Sequence, residues 1–256
     1  MNFKNKCALI TGAASGMGLL FAQNFSALGG NVVMCDVNEE ALFDAAKKIN
    51  EKNQGKAEPV LCDVRSYESV VSATEHTVRI FGRIDVLVNF AGGTATRVCK
   101  VDREKYPEFP DVPIEVYDWG IDVNLKGPFY FAHAVLKVMR EQQEGLIVNI
   151  GSITGAEGSA YGMDYSTSKA GLMYGLTKSV AQFGAKYGIR CVCVSPGPVL
   201  TRAAMAKMKT LLDRAAEPQE IIDLILFLAS EKGQFINGEN IMIDGGRNAM
   251  TRGQKQ

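Results

Sequence analysis

Seven short apolar runs, separated by longer amphipathic segments, constrain the fold of this chain more than any other feature. Most of these runs are continuously apolar rather than alternating, a pattern typical of strands covered on both faces in a parallel sheet. We predict the strands at residues 6–11, 31–36, 57–62, 84–89, 146–150, 189–195 and 239–243.

The segments between these runs carry apolar residues at helical spacing. The first contains Leu20, Phe21 and Phe25 and stops at Gly29-Gly30, a helix-terminating pair. We predict helices at 18–28, 39–51, 66–81, 114–140, 165–187 and 218–229. Because strands and helices alternate, the expected fold class is α/β, with a doubly wound sheet and helices on both faces.

Composition narrows the partners and the compartment. The 256 residues include 28 acidic and 28 basic side chains, a balance that gives no electrostatic reason to bind nucleic acid or an anionic membrane. No apolar run approaches the roughly 18 residues of a membrane span, and the run at 7–10 is too short for a signal-peptide core. We expect a cytoplasmic protein with one domain over 1–256 and a polar tail from about 247.

The six cysteines give no metal signature. Five of them lie inside or at the end of apolar runs, where reduced thiols act as small hydrophobes. Cys191 and Cys193 share a face of one predicted strand, but the only histidines, His76 and His133, lie in helical patterns. We therefore predict no metal site.

A glycine-rich turn follows the first predicted strand. Gly12, Gly16 and Gly18 stand between this strand and a helix start, where glycines let the backbone approach a pyrophosphate. Asp36 ends the second strand, where a carboxylate can accept bonds from a ribose. Each feature also has an ordinary structural interpretation: such glycines can simply pack a helix on a strand, and Asp36 can cap the next helix.

The glycine spacing and six further motifs resemble the short-chain dehydrogenase/reductase family, in order and over nearly the whole chain. The extended branch of that family is longer and has another glycine spacing. The further motifs are Cys62-Asp63-Val64, Asn89-Phe90-Ala91-Gly92, Asn124 within 123–127, Ser152 with Tyr165 and Lys169, the loop 196–201, and Asp244-Gly245-Gly246.

This resemblance implies a single-domain Rossmann-type fold with seven parallel strands, a homotetramer, and a substrate lid at about 198–217. It implies a catalytic tetrad of Asn124, Ser152, Tyr165 and Lys169. It also implies that a nicotinamide cofactor contacts Gly12, Ser15, Gly16, Met17, Gly18, Asp36, Asp63, Val64, Asn89, Ala91, Gly92, Tyr165, Lys169, Pro196, Gly197, Val199 and Thr201.

The spacing of Tyr165 and Lys169 suits acid–base chemistry at an alcohol. Residues four apart lie on one face of a helix, and a cation beside a phenol lowers the phenol's pKa from about 10. Ser152 can hold the substrate oxygen as a neutral donor. By resemblance, Lys169 also binds the nicotinamide ribose, and Asn124 anchors a water that relays protons.

The cofactor is expected to be NAD rather than NADP. Asp36 would repel the 2′-phosphate of NADP, and no lysine or arginine lies between residues 31 and 44 to offset this repulsion. Ser15 stands where the family's acyl-thioester reductases often carry a basic residue. We therefore rank an NAD-dependent secondary-alcohol dehydrogenase above a 3-oxoacyl thioester reductase.

Three departures from the family pattern leave the substrate open. Phe90 replaces an asparagine, the segment 93–119 is long, and the segment after Thr201 is short. A hydroxysteroid, a sugar or polyol, and a 3-oxoacyl thioester all remain candidates, in either direction of reaction. A catalytically silent NAD-binding sensor or scaffold is the alternative from another class, although the complete tetrad argues against it.

Overall fold

The computed structural model describes residues 1–251. Its seven parallel strands form one sheet in the order β3-β2-β1-β4-β5-β6-β7, which confirms the predicted Rossmann-type fold. Each predicted strand overlaps an observed one. The strands are β1 Cys7–Thr11, β2 Asn31–Asp36, β3 Ala57–Leu61, β4 Val86–Asn89, β5 Gly145–Ile150, β6 Ile189–Pro196 and β7 Asn240–Ile243.

Helices cover both faces of the sheet. They are α1 Gly16–Ala27, α2 Glu39–Lys52, α3 Tyr67–Phe81, α4 Ala95–Val98, α5 Ile114–Ile121, α6 Gly127–Gln142, α7 Thr154–Glu157, α8 Met163–Ala170, α9 Thr177–Gly184 and α10 Pro218–Ala229. Short 3₁₀ turns lie at Phe109–Asp111, Ala185–Tyr187, Ala203–Lys207, Glu231–Gly233 and Arg247–Ala249.

Two apolar cores lie on opposite faces of the sheet, because successive side chains of a strand alternate between its faces. On one face, Ile10 packs with buried residues of α1, α2 and α10, such as Phe21. On the other, Leu9 packs with α3, α6 and α9, where Phe131 and Met139 are fully buried. This two-sided burial explains why the strands are apolar throughout.

The two longest predicted helices are each interrupted by a wider turn. A π-helical turn at Asp122–Lys126 joins α5 to α6, and another at Gly171–Leu176 joins α8 to α9. The spacing of apolar residues does not reveal such turns, since the helical run continues through them. They matter because π-turns often occur at functional sites.

The long segment 93–119 and the predicted lid both have defined structures, and so does the start of the predicted tail. Within 93–119, the Phe109 and Tyr117 rings lie 4.7 Å apart. The predicted lid 198–217 is closed at its base by a bridge between Val199 and Ala216. The predicted polar tail starts with a 3₁₀ turn whose Arg247 pairs with Glu157 at 3.3 Å; its residues 252–256 lie outside the described part.

Phe90 occupies an apolar position rather than leaving a gap. Its ring lies 6.0 Å from that of Phe21 in α1. Its neighbour Asn89 keeps a side-chain tie across the sheet, donating from Nδ2 to Oδ1 of Asn149 at 2.9 Å. Among residues 1–251, no helix is both long enough and apolar enough to cross a membrane.

Candidate active site

The strand order reverses between β1 and β4, and ligands bind at the carboxyl ends of strands at such a switch point. A cleft of about 360 Å³ lies there. It is lined by nine of the predicted cofactor residues: Gly12, Ser15, Met17, Gly18, Asp36, Asp63, Val64, Ala91 and Gly92.

The glycine turn between β1 and α1 leaves no room for larger residues at two positions. A Cβ on Gly12 would lie 2.8 Å from the Ala91 nitrogen, and one on Gly18 would lie 2.2 Å from the Gly12 oxygen. Gly16 has a positive φ of 56°, and a Cβ there would meet no atom of residues 1–251 within 4 Å. The Ser15 side chain makes no capping bond, so the first N–H groups of α1 stay available for an anion.

Asp36 is held against this glycine turn. Its carboxylate accepts hydrogen bonds from the N–H of Ala14 and the N–H of Asn38, both at 3.0 Å. The residue is half-buried and lines the cleft. Because an ionised carboxylate has about four acceptor sites, Asp36 can still accept bonds from ligand hydroxyls.

A cation that sequence reasoning missed lies in the same cleft. The Arg65 side chain donates to both carboxylate oxygens of Asp63, from Nε at 3.0 Å to each oxygen and from Nη2 at 2.6 Å to Oδ2. This pairing lowers the pKa of Asp63 below its usual value, against the opposing effect of partial burial. The guanidinium is therefore already engaged by a carboxylate. The signal in the sequence was its position two residues after Asp63.

A second cleft of about 270 Å³ opens at the ends of β4, β5 and β6. Met17 lines both clefts, so the two adjoin at the start of α1. The predicted residues that line the second cleft are Ser152, Tyr165, Pro196, Gly197, Val199 and Thr201.

Tyr165 and Lys169 lie on one face of α8, as their spacing predicts. The Lys169 Nζ lies 5.4 Å from the centroid of the Tyr165 ring. It donates a 2.7 Å hydrogen bond to the Ile150 carbonyl at the end of β5, and the lysine is only 3% exposed. The ammonium is thus held in a buried position beneath the phenol.

Asn124 lies in the π-turn between α5 and α6 and is fully buried. Its Nδ2 donates to the carbonyls of Gly93 and Gly120, at 2.9 and 2.8 Å, and its Oδ1 accepts from the Gly93 N–H at 3.0 Å. A Cβ on Gly92 would lie 2.6 Å from that Oδ1 and 3.5 Å from the Lys169 Nζ. Asn124 therefore braces the strand-end loop beside the lysine.

Ser152 follows β5 and is 9% exposed. Its Oγ accepts a 3.2 Å hydrogen bond from the Thr154 N–H, which leaves the hydroxyl proton free to point into the cleft. Asn89 differs from the other predicted residues, since its side chain lies in the sheet, paired with Asn149. Gly16, Asn124 and Lys169 also do not line either cleft directly.

Four further residues of the second cleft have no sequence signal. Arg97 comes from α4, Arg202 follows Thr201, and Met205 and Met208 come from the predicted lid. These residues belong to the two segments that depart from the family pattern, where a motif gives no guidance. Among residues 1–251, no group of His, Cys, Asp and Glu is arranged to hold a metal ion.

Comparison with known proteins agrees with this geometry. A family model described as enoyl-(acyl carrier protein) reductase matches residues 12–248. Together with the sheet topology, this match defines a Rossmann-type oxidoreductase. More narrowly, the chain belongs to the short-chain dehydrogenase/reductase family.

The similar proteins act on different substrates. A trans-4-hydroxycyclohexanecarboxylate dehydrogenase of Sinomonas cyclohexanicum is 39% identical, with 95% of this chain and 93% of the relative covered. A 3-oxoacyl-[acyl-carrier-protein] reductase of Thermotoga maritima is 37% identical (96% and 99% covered), and a 7alpha-hydroxysteroid dehydrogenase of Bacteroides fragilis is 35% identical (95% of each). The structure of NAD⁺-bound xylitol dehydrogenase has a TM-score of 0.84 at 28% identity, covering 96% of this chain and 100% of that one.

Proposed function

We propose that this protein is an NAD-dependent oxidoreductase that interconverts a secondary alcohol and a ketone, with Tyr165 as general acid/base. One observation carries the proposal. The cleft lined by Ser152 and Tyr165 adjoins, at Met17, the cleft that is lined by Asp36 and the glycine turn, so one bound cofactor can extend from Asp36 to the reacting carbon.

The residues present fit a nicotinamide dinucleotide. The close contacts at Gly12 and Gly18 and the open space at Gly16 form a backbone cradle of the kind that accepts a pyrophosphate. Asp36 would hold the adenosine ribose, while the loop 196–201 would hold the nicotinamide side. When bound, NAD supplies the hydride acceptor for alcohol oxidation.

Tyr165 takes the hydroxyl proton of the alcohol during oxidation and returns it during reduction. The Lys169 Nζ lies 5.4 Å from the ring centroid, and its hydrogen bond to the Ile150 carbonyl fixes it beside Tyr165. Ser152 donates its free hydroxyl proton to the substrate oxygen, which stabilises the charge that develops there. All three side chains act from fixed positions at the end of β5 and the start of α8.

Asn124 contributes by positioning. Both protons of its amide are used by backbone carbonyls, so a relay water would have to bind its remaining Oδ1 acceptor site or the backbone of the π-turn. The first effect of Asn124 is to keep Gly92 and Gly93 beside Lys169.

The proposed preference for NAD over NADP depends on Asp36. Its two backbone bonds keep the carboxylate at the cleft, where a 2′-phosphate would meet a like charge. Arg65 is the cation that could compensate, and it is paired with Asp63. Val37, the residue after Asp36, is apolar and 66% exposed, so it offers no attraction to a phosphate.

Reduction of a 3-oxoacyl thioester is the second candidate. It is favoured by the name of the Thermotoga maritima relative and by the description of the matching family model. Ser15 and the balanced net charge argue against it, since a carrier-protein partner favours a basic surface.

We also propose a homotetramer in the cytoplasm. Phe129 on α6, Tyr174 in the second π-turn and Phe183 on α9 are 54%, 49% and 44% exposed, which leaves aromatic surface for subunit contacts. All six cysteines are free thiols, which suits a reducing compartment. Light scattering at micromolar concentration tests the assembly, and a monomer mass would contradict it.

The function is tested by following NAD reduction with a panel of secondary alcohols, including steroids, polyols and cyclic alcohols, and NADH or NADPH oxidation with 3-oxoacyl thioesters. Oxidation of an alcohol by the wild type and its loss in Tyr165→Phe would support the proposal. Turnover of thioesters alone would favour the second candidate, and no turnover of any substrate would favour the silent NAD-binding alternative.

A further inference from the structure

The charge of the second cleft differs from that of the whole chain. The chain has equal numbers of acidic and basic residues. Among residues 1–251, however, the only charged side chains that line this cleft are Arg97 and Arg202, and no carboxylate lines it. The cleft is therefore a positively charged pocket in an electrically balanced molecule.

Neither arginine has a structural task that accounts for its position. Arg65, Arg83, Arg214 and Arg247 form salt bridges, whereas Arg97 and Arg202 form none within residues 1–251. Within the described part of the chain, the Arg202 side chain makes only a 3.5 Å contact, from Nη2 to the Met205 sulfur, a weak acceptor. Both guanidinium groups can therefore accept a ligand as their principal partner.

The two arginines approach the reacting position from different sides. β5 lies between β4 and β6 in the sheet, and Ser152 follows β5. Arg97 comes from the segment after β4, and Arg202 from the segment after β6. A Cβ on Gly93 would lie 2.9 Å from the Arg97 Nη2, so this guanidinium lies next to the loop that Asn124 braces.

We infer that the physiological substrate carries an oxyanion, in the simplest case a carboxylate, on the same small molecule as the reacting alcohol or ketone, and that Arg97 and Arg202 bind it. This inference deepens the proposed function by giving the substrate class. Guanidinium groups match carboxylates in shape and charge and bind them through paired hydrogen bonds. Met205 and Met208 provide adaptable apolar contacts for the hydrocarbon body.

A phosphopantetheine thioester also carries an oxyanion, but its phosphate lies at the far end of a long arm from the reacting carbonyl. Both arginines line the same cleft as Tyr165, which favours a charge close to the reacting carbon. The pyrophosphate of the cofactor is a further anion that Arg202 could contact. Measurements of acid preference, of NAD binding and of thioester turnover distinguish these alternatives.

The first experiment measures binding, so that it does not depend on turnover. Matched acid and amide pairs, beginning with cyclohexanecarboxylate and cyclohexanecarboxamide and including chain analogues, are titrated calorimetrically into the protein with saturating NAD. We expect the acids to bind at least about tenfold more tightly, which is about 1.4 kcal/mol. Arg97→Gln and Arg202→Gln should each reduce this preference, and added salt should weaken it in the wild type.

Arg140→Gln is the matched control, because Arg140 is exposed at the end of α6 and lines neither cleft. It should retain the full acid preference. Equal binding of acids and amides across the pairs, or a preference that both arginine variants keep, would overturn the inference. Weaker NAD binding in Arg202→Gln with an unchanged acid preference would also overturn it for that residue and assign Arg202 to the cofactor.

The second experiment compares kcat/KM for trans-4-hydroxycyclohexanecarboxylate, its methyl ester and 4-hydroxycyclohexyl phosphate. Preference for either charged substrate over the ester supports the inference, and their ratio shows which oxyanion is bound. An arginine dependence seen only with a 3-oxoacyl pantetheine thioester that carries the phosphate would overturn it. If neutral alcohols are oxidised without any acid preference, the proposed dehydrogenase stands and this inference alone fails.

Discussion

The end of this molecule proposed to bind the cofactor and the end proposed to bind the substrate lie along the same edge of one sheet, yet they are built differently. At the cofactor end, a short turn between β1 and α1 and a carboxylate at the end of β2 define the cleft, and the backbone N–H groups of Ala14 and Asn38 hold the carboxylate. At the substrate end, Arg97 and Met205 come from segments far apart in the chain, 93–119 and 198–217.

The difference shows what each end has to accomplish. Every nicotinamide dinucleotide presents the same pyrophosphate and ribose, so local backbone geometry suffices to bind it. A substrate differs from enzyme to enzyme, and its pocket is formed by loops that a rigid scaffold positions. Tyr165 and Lys169 lie at the boundary, held by α8 and by the Ile150 carbonyl of β5.

The largest expected effect separates chemistry from cofactor binding. Tyr165→Phe should lower turnover by at least about 10²-fold, since a general acid/base contributes roughly 10² to 10⁴, while NAD binding is retained. Steady-state kinetics and a cofactor titration measure the two quantities. Tyr161→Phe, in the turn that precedes α8 and outside both clefts, is the matched control and should keep its activity. Substantial turnover in Tyr165→Phe would remove Tyr165 from the mechanism.

The next effect tests the cofactor end alone. We expect kcat/KM to be at least about tenfold higher with NAD than with NADP, because the 2′-phosphate of NADP would lie against Asp36. This ratio corresponds to about 1.4 kcal/mol of transition-state free energy. Asp36→Ala should narrow this ratio mainly by improving the use of NADP. Asp44→Ala removes an exposed carboxylate on α2 that is paired with Lys48, and it should leave the ratio unchanged. Equal efficiencies in the wild type would mean that Asp36 does not face the ribose.

The difference between the two ends also determines which features the sequence could predict. The sheet follows from continuous apolar runs, and Gly12 and Asp36 are predictable because their roles depend on neighbours close in the chain. The π-turn that holds Asn124 is not predictable, because apolar spacing does not distinguish it from an α-helix. Arg97 and Arg202 enter the cleft through the packing of segments far apart in the chain, so their local sequence carries no signal.

A smaller effect is expected on protein stability, and it comes from a buried carboxylate at the substrate end. Asp164, next to Tyr165, is 4% exposed, and neither of its oxygens makes a hydrogen bond of normal geometry within residues 1–251. Burial raises its pKa above the usual value, and the nearby N–H groups of Tyr165 and Ala95 only partly oppose this. The folded protein thus binds this proton more tightly than the unfolded chain, so the contribution to stability is largest at acidic pH and is lost as pH rises through the folded-state pKa.

Asp164→Asn should therefore raise the stability of the protein at neutral pH by about 1 kcal/mol, because an unpaired buried charge costs more than an unpaired neutral group, or by about 2–4 °C in Tm for a chain of this size. The gain should shrink as the pH falls through the raised folded-state pKa and disappear below about 4, the unfolded-state value, where the carboxyl becomes protonated in both states. Thermal unfolding of the two proteins at a series of pH values measures this. Asp118→Asn, an exposed change on α5, should show no such trend, and a gain that is equal at every pH would mean that the charge of Asp164 is not responsible.

The smallest expected effect is a loss of stability at the cofactor end. Its sign is opposite to that of the gain expected for Asp164→Asn. Arg65 lowers the pKa of Asp63 through their hydrogen bonds, so this carboxylate stabilises the fold above its unfolded-state pKa, and the contribution is lost as pH falls through the lower folded-state pKa. The Asp63 side chain is 35% exposed, so solvent screening limits the effect, and Asp63→Asn should cost less than about 1 kcal/mol at neutral pH. Urea unfolding without cofactor should show this loss at pH 7 and a smaller one near about pH 4. Added salt should reduce the loss as well. A stability gain in Asp63→Asn at neutral pH would show that the pairing with Arg65 does not offset the partial burial of the carboxylate, and the contrast between the two ends would then fail.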